Sequence, residues 1–570
     1  MKKIIFLGLS FFWGIMPLHA GVRGPETVSA GRFEPLVGTH GMVVSDSREA
    51  SEWGAEVLRK GGNAIDAAVA TAFVLAVTRP HYAALGGGGF LLYCPKPKNG
   101  APVPCHFLDY REVAPLAAHQ KMYLQDGKVR SDLAQNSPLA SGVPGTPAGL
   151  LLALEKYGTR KRAELLSRAI EIAERGFVFT GHAEQVALER WSSMNGAAQK
   201  IFGCADSKNA SLKPCSPGTR IVQKDLARTL KAISRQGRRG FYDGKVAKLI
   251  VTEVKKSGGL VTLDDLRTYS PRWREPIEGA FQNWEVVSAP PPSSGGLAVL
   301  QLLQYTQRAA QEGQLEAGPG ALSTIHAITH AMSLVFADRA EYLGDPDFVS
   351  VPVAQLISNS YLDQRWKTFD PKKVTFPQKP EMIGLSEGRH TTHFSVIDRE
   401  GNAVAITTTL NDNFGSGFVP AGSGVVMNNE MDDFSIQPGV PNLFGLIGSK
   451  ANAIAPRKRP LSSMSPSIVR DQAGNNRIVI GAAGGPRIIS SVFLSLLNRF
   501  QFGMPLLDAV AAPRFHHQWQ PKELFIEKFS VPREIQVGLM EKGYVLAELP
   551  KVGLIHALER SIEGKTEGAP

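Results

Sequence analysis

Apolar residues fill almost every position from Ala64 to Val77, and the polar residues that introduce them, Asn63 and Asp66, stand three apart. A stretch apolar on all faces predicts a buried helix. An Asn followed three residues on by an acid predicts its start, where each side chain caps the other's backbone. Thr146-Pro147 opens a second helix, with proline at its first position, ending near Tyr157 before Gly158. Repeats of about 3.6 residues predict further helices over 160–175, 244–256, 297–309 and 323–342, and Thr262 with Asp265 reads as another capping pair. From residue 391 the pattern changes. Thr392–Asp398 and Ala403–Leu410, rich in Thr, Val, Ile and Phe and separated by Arg399-Glu-Gly-Asn402, predict a β-hairpin. Strand-like runs follow at 424–427, 467–470 and 477–481, then a helix over 489–500. Helices, strands and helices again predict a layered α/β fold without fixing its topology.

Composition narrows the class. The chain has 570 residues, with 63 Lys+Arg against 52 Asp+Glu and a net charge of +11. That length allows several domains or one large α/β unit. The basic residues are scattered, and their densest run, Arg457-Lys458-Arg459, has no interleaved aromatic platform, so a solvated basic surface is expected rather than a nucleic-acid site. Lys2 and Lys3, the apolar run 4–16 and Leu18-His19-Ala20 follow the order of a secretory signal, so residues 1–20 are set aside as a signal peptide. The apolar run is shorter than the ~20 residues of a bilayer span, so no stable membrane span is expected and the protein is read as periplasmic or secreted. Export suits the cysteines. Cys94 with Cys105, and Cys204 with Cys215, each bracket a short polar loop and predict local disulfides of about 2–3 kcal/mol apiece, with free thiols as the alternative.

Several motifs fail on their chemistry. Gly86-Gly-Gly-Gly89 lacks the Lys-Ser/Thr of a phosphate loop and is read as a place where two backbones pass closely. His326 and His330 stand at i and i+4, but Ala327 occupies the position where a zinc peptidase needs Glu. His516-His517 reads as structural, no Gly-x-Ser-x-Gly is present, and neither a metal nor an organic cofactor is expected.

Other segments are too polar for a plain core: His390-Thr391-Thr392-His393-Phe394-Ser395, Thr407-Thr-Thr-Leu-Asn411, Asn428-Asn-Glu-Met-Asp-Asp-Phe434, Pro460-Leu-Ser-Ser-Met-Ser-Pro466 and Gly484-Gly-Pro-Arg487. Together with Ala84-Leu-Gly-Gly-Gly-Gly-Phe90, Asp109-Tyr-Arg-Glu-Val-Ala-Pro115, Ala289-Pro-Pro-Pro-Ser-Ser-Gly-Gly296 and Ala337-Asp-Arg-Ala-Glu-Tyr-Leu-Gly-Asp-Pro346, they closely resemble the γ-glutamyltranspeptidase family of N-terminal nucleophile hydrolases, over about residues 38–545.

The resemblance implies a four-layer αββα fold built jointly by two subunits of one precursor, cut between His390 and Thr391 into 21–390 and 391–570, which remain together as a heterodimer. It implies that Thr391 is the nucleophile, its new α-amine the base, and Thr409 the support of its hydroxyl. The backbone N–H groups of Gly484 and Gly485 would hold the oxyanion. Arg111, with Ser462 and Ser463, would take the substrate α-carboxylate, while Asp433, Glu430 and Asn411 would take the α-ammonium. The implied substrates are γ-glutamyl amides, glutathione first and glutamine second, with water or an amino acid or peptide as acceptor. Two departures stand out: Phe444 lies in the covering loop where the family often has Tyr, and the chain ends near Glu567-Gly-Ala-Pro570, which implies a shortened last strand. The alternatives are a cephalosporin or glutaryl acylase with the same nucleophile, and an inactive exported protein that binds γ-glutamyl groups.

Overall fold

The computed structural model describes residues 35–206, 211–377 and 391–569. The expected signal peptide and His390 lie outside them.

Thirteen strands make two sheets. They are β1 (Leu36–Gly38), β2 (Gly41–Val44), β3 (Gly88–Cys94), β4 (His106–Asp109), β5 (Arg272–Arg274), β6 (Ile277–Phe281), β7 (Trp284–Ser288), β8 (Thr391–Asp398), β9 (Ala403–Thr409), β10 (Ser467–Arg470), β11 (Asn476–Ala483), β12 (Leu554–Arg560) and β13 (Thr566–Ala569). The first sheet runs β5-β4-β3-β9-β8-β2 and the second β1-β13-β12-β11-β10-β7-β6, each antiparallel throughout. In each sheet the strands after residue 391 form a block flanked on both sides by strands from before it, so the two halves of the chain share one structure.

The predicted hairpin is β8–β9, at the heart of the first sheet, and all its strand residues are buried. Alternation sets its two faces. Phe394, Val396, Val404 and Ile406 join the core under the helices, whereas Ile397, Ala403 and Ala405 join the core shared with the second sheet. The helix under the first sheet, α1 (Ala64–Thr78), starts where the pattern predicts and is buried at every position. Asn63 Oδ1 accepts the Asp66 N–H and Asp66 Oδ2 accepts the Asn63 N–H, both at 3.0 Å. The outer face of the second sheet is covered by helices Gly295–Gln311 and Arg487–Phe500, which completes the αββα order.

Glycines 86–89 serve the close approach expected of them. A Cβ on Gly87 would sit 2.1 Å from Thr409 O, and one on Gly89 2.4 Å from Thr407 O. Both predicted disulfides form, Cys94–Cys105 and Cys204–Cys215. The histidine pair is structural: His326 meets the Tyr544 hydroxyl and Asp370 O, and His330 meets Thr375 O. One expectation needs correction. Residues 424–427 form no strand, because Gly424 takes φ +67° where its Cβ would strike Leu226, and only Met427 bridges to Gly86. The last strand, β13, pairs with β12 on one side and β1 on the other. Among the described residues no helix is long and apolar enough to cross a membrane.

Candidate active site

Thr391 begins β8 and lies directly opposite Thr409 on β9. The pairing brings their side chains together: Thr391 Oγ1 donates to Thr409 Oγ1 at 3.3 Å, and Thr409 Oγ1 accepts the Asn411 N–H at 2.9 Å. Thr391 is 7% exposed, enough to border a cavity. His393, two residues along the same strand face, directs its ring nitrogens to Thr407 and Ser395, so its imidazole is committed elsewhere.

Nine of the ten residues expected at the site line that one cavity: Arg111, Thr391, Thr409, Asn411, Glu430, Asp433, Ser462, Ser463 and Gly485. They come from a loop after β4, the hairpin, the loop after β9, a turn at 430–433, a segment before β10 and the turn after β11. The tenth, Gly484, sits across the same turn and lines the neighbouring cavity instead. Gly484 has φ +135° and Gly485 φ +59°, conformations natural only to glycine. Arg487 Nε donates to Gly484 O at 3.3 Å and holds the carbonyl of that peptide. The same peptide carries the Gly485 N–H, and Gly485 lines the first cavity.

Arg111 is almost wholly buried and crowded with acceptors. Nη1 pairs with Glu430, Nη2 donates to Asp433 Oδ2 at 2.5 Å, and Nε donates to Pro460 O at 3.2 Å. Its backbone is fixed too, by Asp109 Oδ1 at 3.0 Å and the Tyr269 hydroxyl at 2.9 Å. The expected carboxylate-binding cation therefore rests on the two acids expected to bind an ammonium. The remaining volume is about 20 Å³, room for about one water. Burial weakens the Arg111 charge, but Glu430, Asp433 and Glu112 together outweigh it and its pKa is raised. Burial likewise raises Glu430 and Asp433 against the pull of Arg111.

Phe444 lines the cavity with its ring against Gly485, where a Cβ would come within 2.8 Å. Asn442 anchors this loop: its Oδ1 accepts the Phe444 N–H at 3.0 Å and its Nδ2 donates to Asp433 Oδ1 at 3.1 Å. Pattern reading missed Asn442, Asp109 and Glu112. The last two flank Arg111 within a quoted motif, but nothing in the sequence showed that they point inward.

The γ-glutamyltranspeptidase family profile matches residues 50–569. A glutathione hydrolase proenzyme of Pseudomonas sp. strain A14 is 43% identical over 524 residues, covering 91% of this chain and 89% of that protein. The protein of the same name from Escherichia coli K12 is 40% identical, with 94% and 91% covered. Among solved structures, a cephalosporin acylase from Bacillus halodurans superposes with a TM-score of 0.79 at 25% identity, covering 96% of this chain and 97% of that one. Conserved length, fold and the residues gathered around Thr391 lead to one assignment: this chain is a member of the γ-glutamyltranspeptidase family.

Proposed function

We propose that this protein is an autoprocessed γ-glutamyltranspeptidase and glutathione hydrolase in which Thr391 is both nucleophile and, through its α-amine, base. The observation that carries the reading is the meeting, in one cavity, of a strand-initial threonine, the Gly485 turn and a buried arginine with two carboxylates. In the precursor the Thr391 hydroxyl attacks the His390 carbonyl. The C–N bond gives way to an ester, and water then opens it. Mature chains would be 21–390 and 391–570, exported to the periplasm or beyond the cell. The new amine has a reference pKa of about 7.7–8.0, so a useful fraction is neutral near pH 7 and can accept the hydroxyl proton.

A γ-glutamyl donor is a zwitterion at its α-carbon. Its carboxylate would take Arg111, Ser462 and Ser463, and its ammonium would take the released Glu430 and Asp433 with Asn411, replacing an internal ion pair by two external ones. Thr391 Oγ then attacks the γ-carbonyl, the oxyanion forms at the Gly484–Gly485 turn, and the amine leaves with the proton. Water or an amino-acid or peptide acceptor takes the acyl group. Preorganised donors of this kind are worth about 2.7–4 kcal/mol each in comparable acyl transfers.

The experiment is Thr391→Ala. It should yield a single uncut polypeptide that releases no anilide from γ-glutamyl-anilide, while the parent protein shows a second N-terminus at Thr391. Cutting at the same bond in the variant would refute the reading, and an uncut but correctly folded parent would favour an inactive binding protein. The superposition on a cephalosporin acylase supports a second reading, action on glutaryl amides. The α-ammonium acids argue against it, and glutaryl-anilide should be turned over at least about a hundredfold more slowly than γ-glutamyl-anilide, the scale expected when buried polar groups lose their partner.

A further inference from the structure

Phe444 lines the nucleophile's cavity with its ring on the Gly485 turn, and its place there depends on what holds its backbone. On one side the loop leans on two neighbouring acids. The Leu443 N–H donates to Asp432 Oδ2 at 2.9 Å, and Asn442 Nδ2 to Asp433 Oδ1 at 3.1 Å. A γ-glutamyl donor would call on Asp433 for its ammonium, so the Asn442 tie would weaken when the site fills. On the other side stands a residue that the proposed reaction does not touch. Gln518 is 3% exposed, and its Nε2 donates to Phe444 O at 3.0 Å and to Gln520 O at 3.3 Å.

The hydrogen bonds behind Gln518 run in one direction. Two carbonyls face its Nε2, so its Oε1, which can only accept, is the end turned to His516 Nε2 at 2.9 Å. That ring nitrogen must carry a proton. Burial pushes the pKa of His516 down to about 3, so the ring is neutral and its Nδ1 is an acceptor. Ser490 Oγ therefore donates to it, at 2.6 Å. The ring packs on Phe336 and Phe525, and the turn beyond it is pinned by Trp519, whose Nε1 donates to Pro377 O at 2.8 Å. Ser490 stands three residues after Arg487 in the helix Arg487–Phe500, which starts directly beyond the glycine turn. One helix end thus holds both walls of the cavity: the turn through Arg487 on Gly484 O, and Phe444 through Ser490, His516 and Gln518.

We propose that Gln518 is a positioning residue for the γ-glutamyl donor: its amide, oriented by Ser490 through His516, keeps Phe444 in register with the Gly485 turn. This rests on the assignment of γ-glutamyl transfer above and deepens it. Phe444 borders the donor in the ground state and in the transition state, so a displaced ring weakens both complexes alike. Such a loss raises KM and leaves kcat unchanged. His516 serves here by orienting an amide, not by moving a proton.

The test follows γ-glutamyl-anilide release by the processed enzyme, two single variants and their double. Gln518→Met removes the donor to Phe444 O at similar volume. It should raise KM about three- to tenfold, the scale of one neutral hydrogen bond, with kcat within about twofold of the parent. Ser490→Ala should raise KM less, and should add nothing in the Gln518→Met background because it acts only through Gln518. A fall in kcat at unchanged KM, or effects that multiply in the double variant, overturns the proposal. Hydrogen–deuterium exchange needs no substrate and reads the loop itself. The bonded amides of 443–446 should exchange at least about fivefold faster in Gln518→Met, and faster to a smaller degree in Ser490→Ala, with the 391–409 hairpin unchanged. Equal protection of 443–446 in parent and variants, or faster exchange throughout, also overturns it. If the cut, folded parent releases no anilide, the γ-glutamyl reading fails, and exchange alone then decides whether Gln518 holds the loop.

Discussion

A carboxyl group buried beside an arginine, yet without a hydrogen-bond partner on another residue, is costly to ionise, and Glu112 is such a group. Its side chain is fully buried, and its nearest positive atom is Arg111 Nη1 at 3.9 Å. Burial pushes its pKa up to about 8, with Arg111 opposing and Asp433 and Asp109 adding to the rise. Because the folded value lies above the unfolded one, near 4.5, the folded protein holds a proton that the unfolded chain has lost between those limits. Stability from this group is therefore complete below about pH 4.5 and lost as pH rises toward 8. Glu112→Gln, which keeps the neutral shape, should flatten the fall in Tm between about pH 5 and 8, and an equal fall in both proteins would show that Glu112 titrates normally. The motif displayed this acid next to Arg111, but the direction of its side chain depends on Gly88, whose missing Cβ leaves room for it at 2.5 Å, and sequence does not record such a fit.

At the scale of elements, the legible parts were those with strong local rules. The capped start of α1, the Gly244–Lys256 helix and the Ser467–Arg470 strand match their predicted bounds closely, because capping and periodicity act within a few residues. The 424–427 run fails since Val and Met at strand-like positions cannot outweigh a left-handed glycine packed on Leu226. Short strands such as β5 and β13 carry too little pattern and exist only through partners distant in sequence. The four glycines lie between these cases: their purpose could be read, though not which strand would face them. Gly87→Ala tests that contact, since its Cβ would fall 2.1 Å from Thr409 O. Forcing β3 and β9 apart should cost about 1–3 kcal/mol. It should lower Tm and also slow conversion of precursor to two chains, because Thr409 accepts a hydrogen bond from the Thr391 hydroxyl; normal processing in a destabilised variant would uncouple the glycines from Thr391.

For the whole molecule, the αββα order and the chemistry of the cavity were available through resemblance, and residue patterns alone stopped at mixed α/β. What no pattern could supply is the state of Arg111, which only the assembled fold shows paired with the acids on its own walls. Each sheet mixes strands from before and after residue 391, and both disulfides lie wholly before it. The cut chains should therefore co-elute as one particle under native conditions, with or without reductant, and separate only in denaturant. Free small chain appearing on reduction alone would contradict the interleaved sheets.

One detail of the first sheet bears on how a chain end can be created in a packed interior. β2 pairs with β8 only from Ser395 to Asp398, so among the described residues Thr391–Phe394 have a strand, β9, along one margin alone. Had β2 run four residues further, its carbonyls would have clamped the nitrogen of Thr391 in a ladder. On the proposed reading of Thr391 as its own base, this leaves the new terminus hinged on a single neighbour, with latitude to swing its amine toward the hydroxyl it would deprotonate. On that reading the brevity of one flanking strand becomes a condition for chemistry.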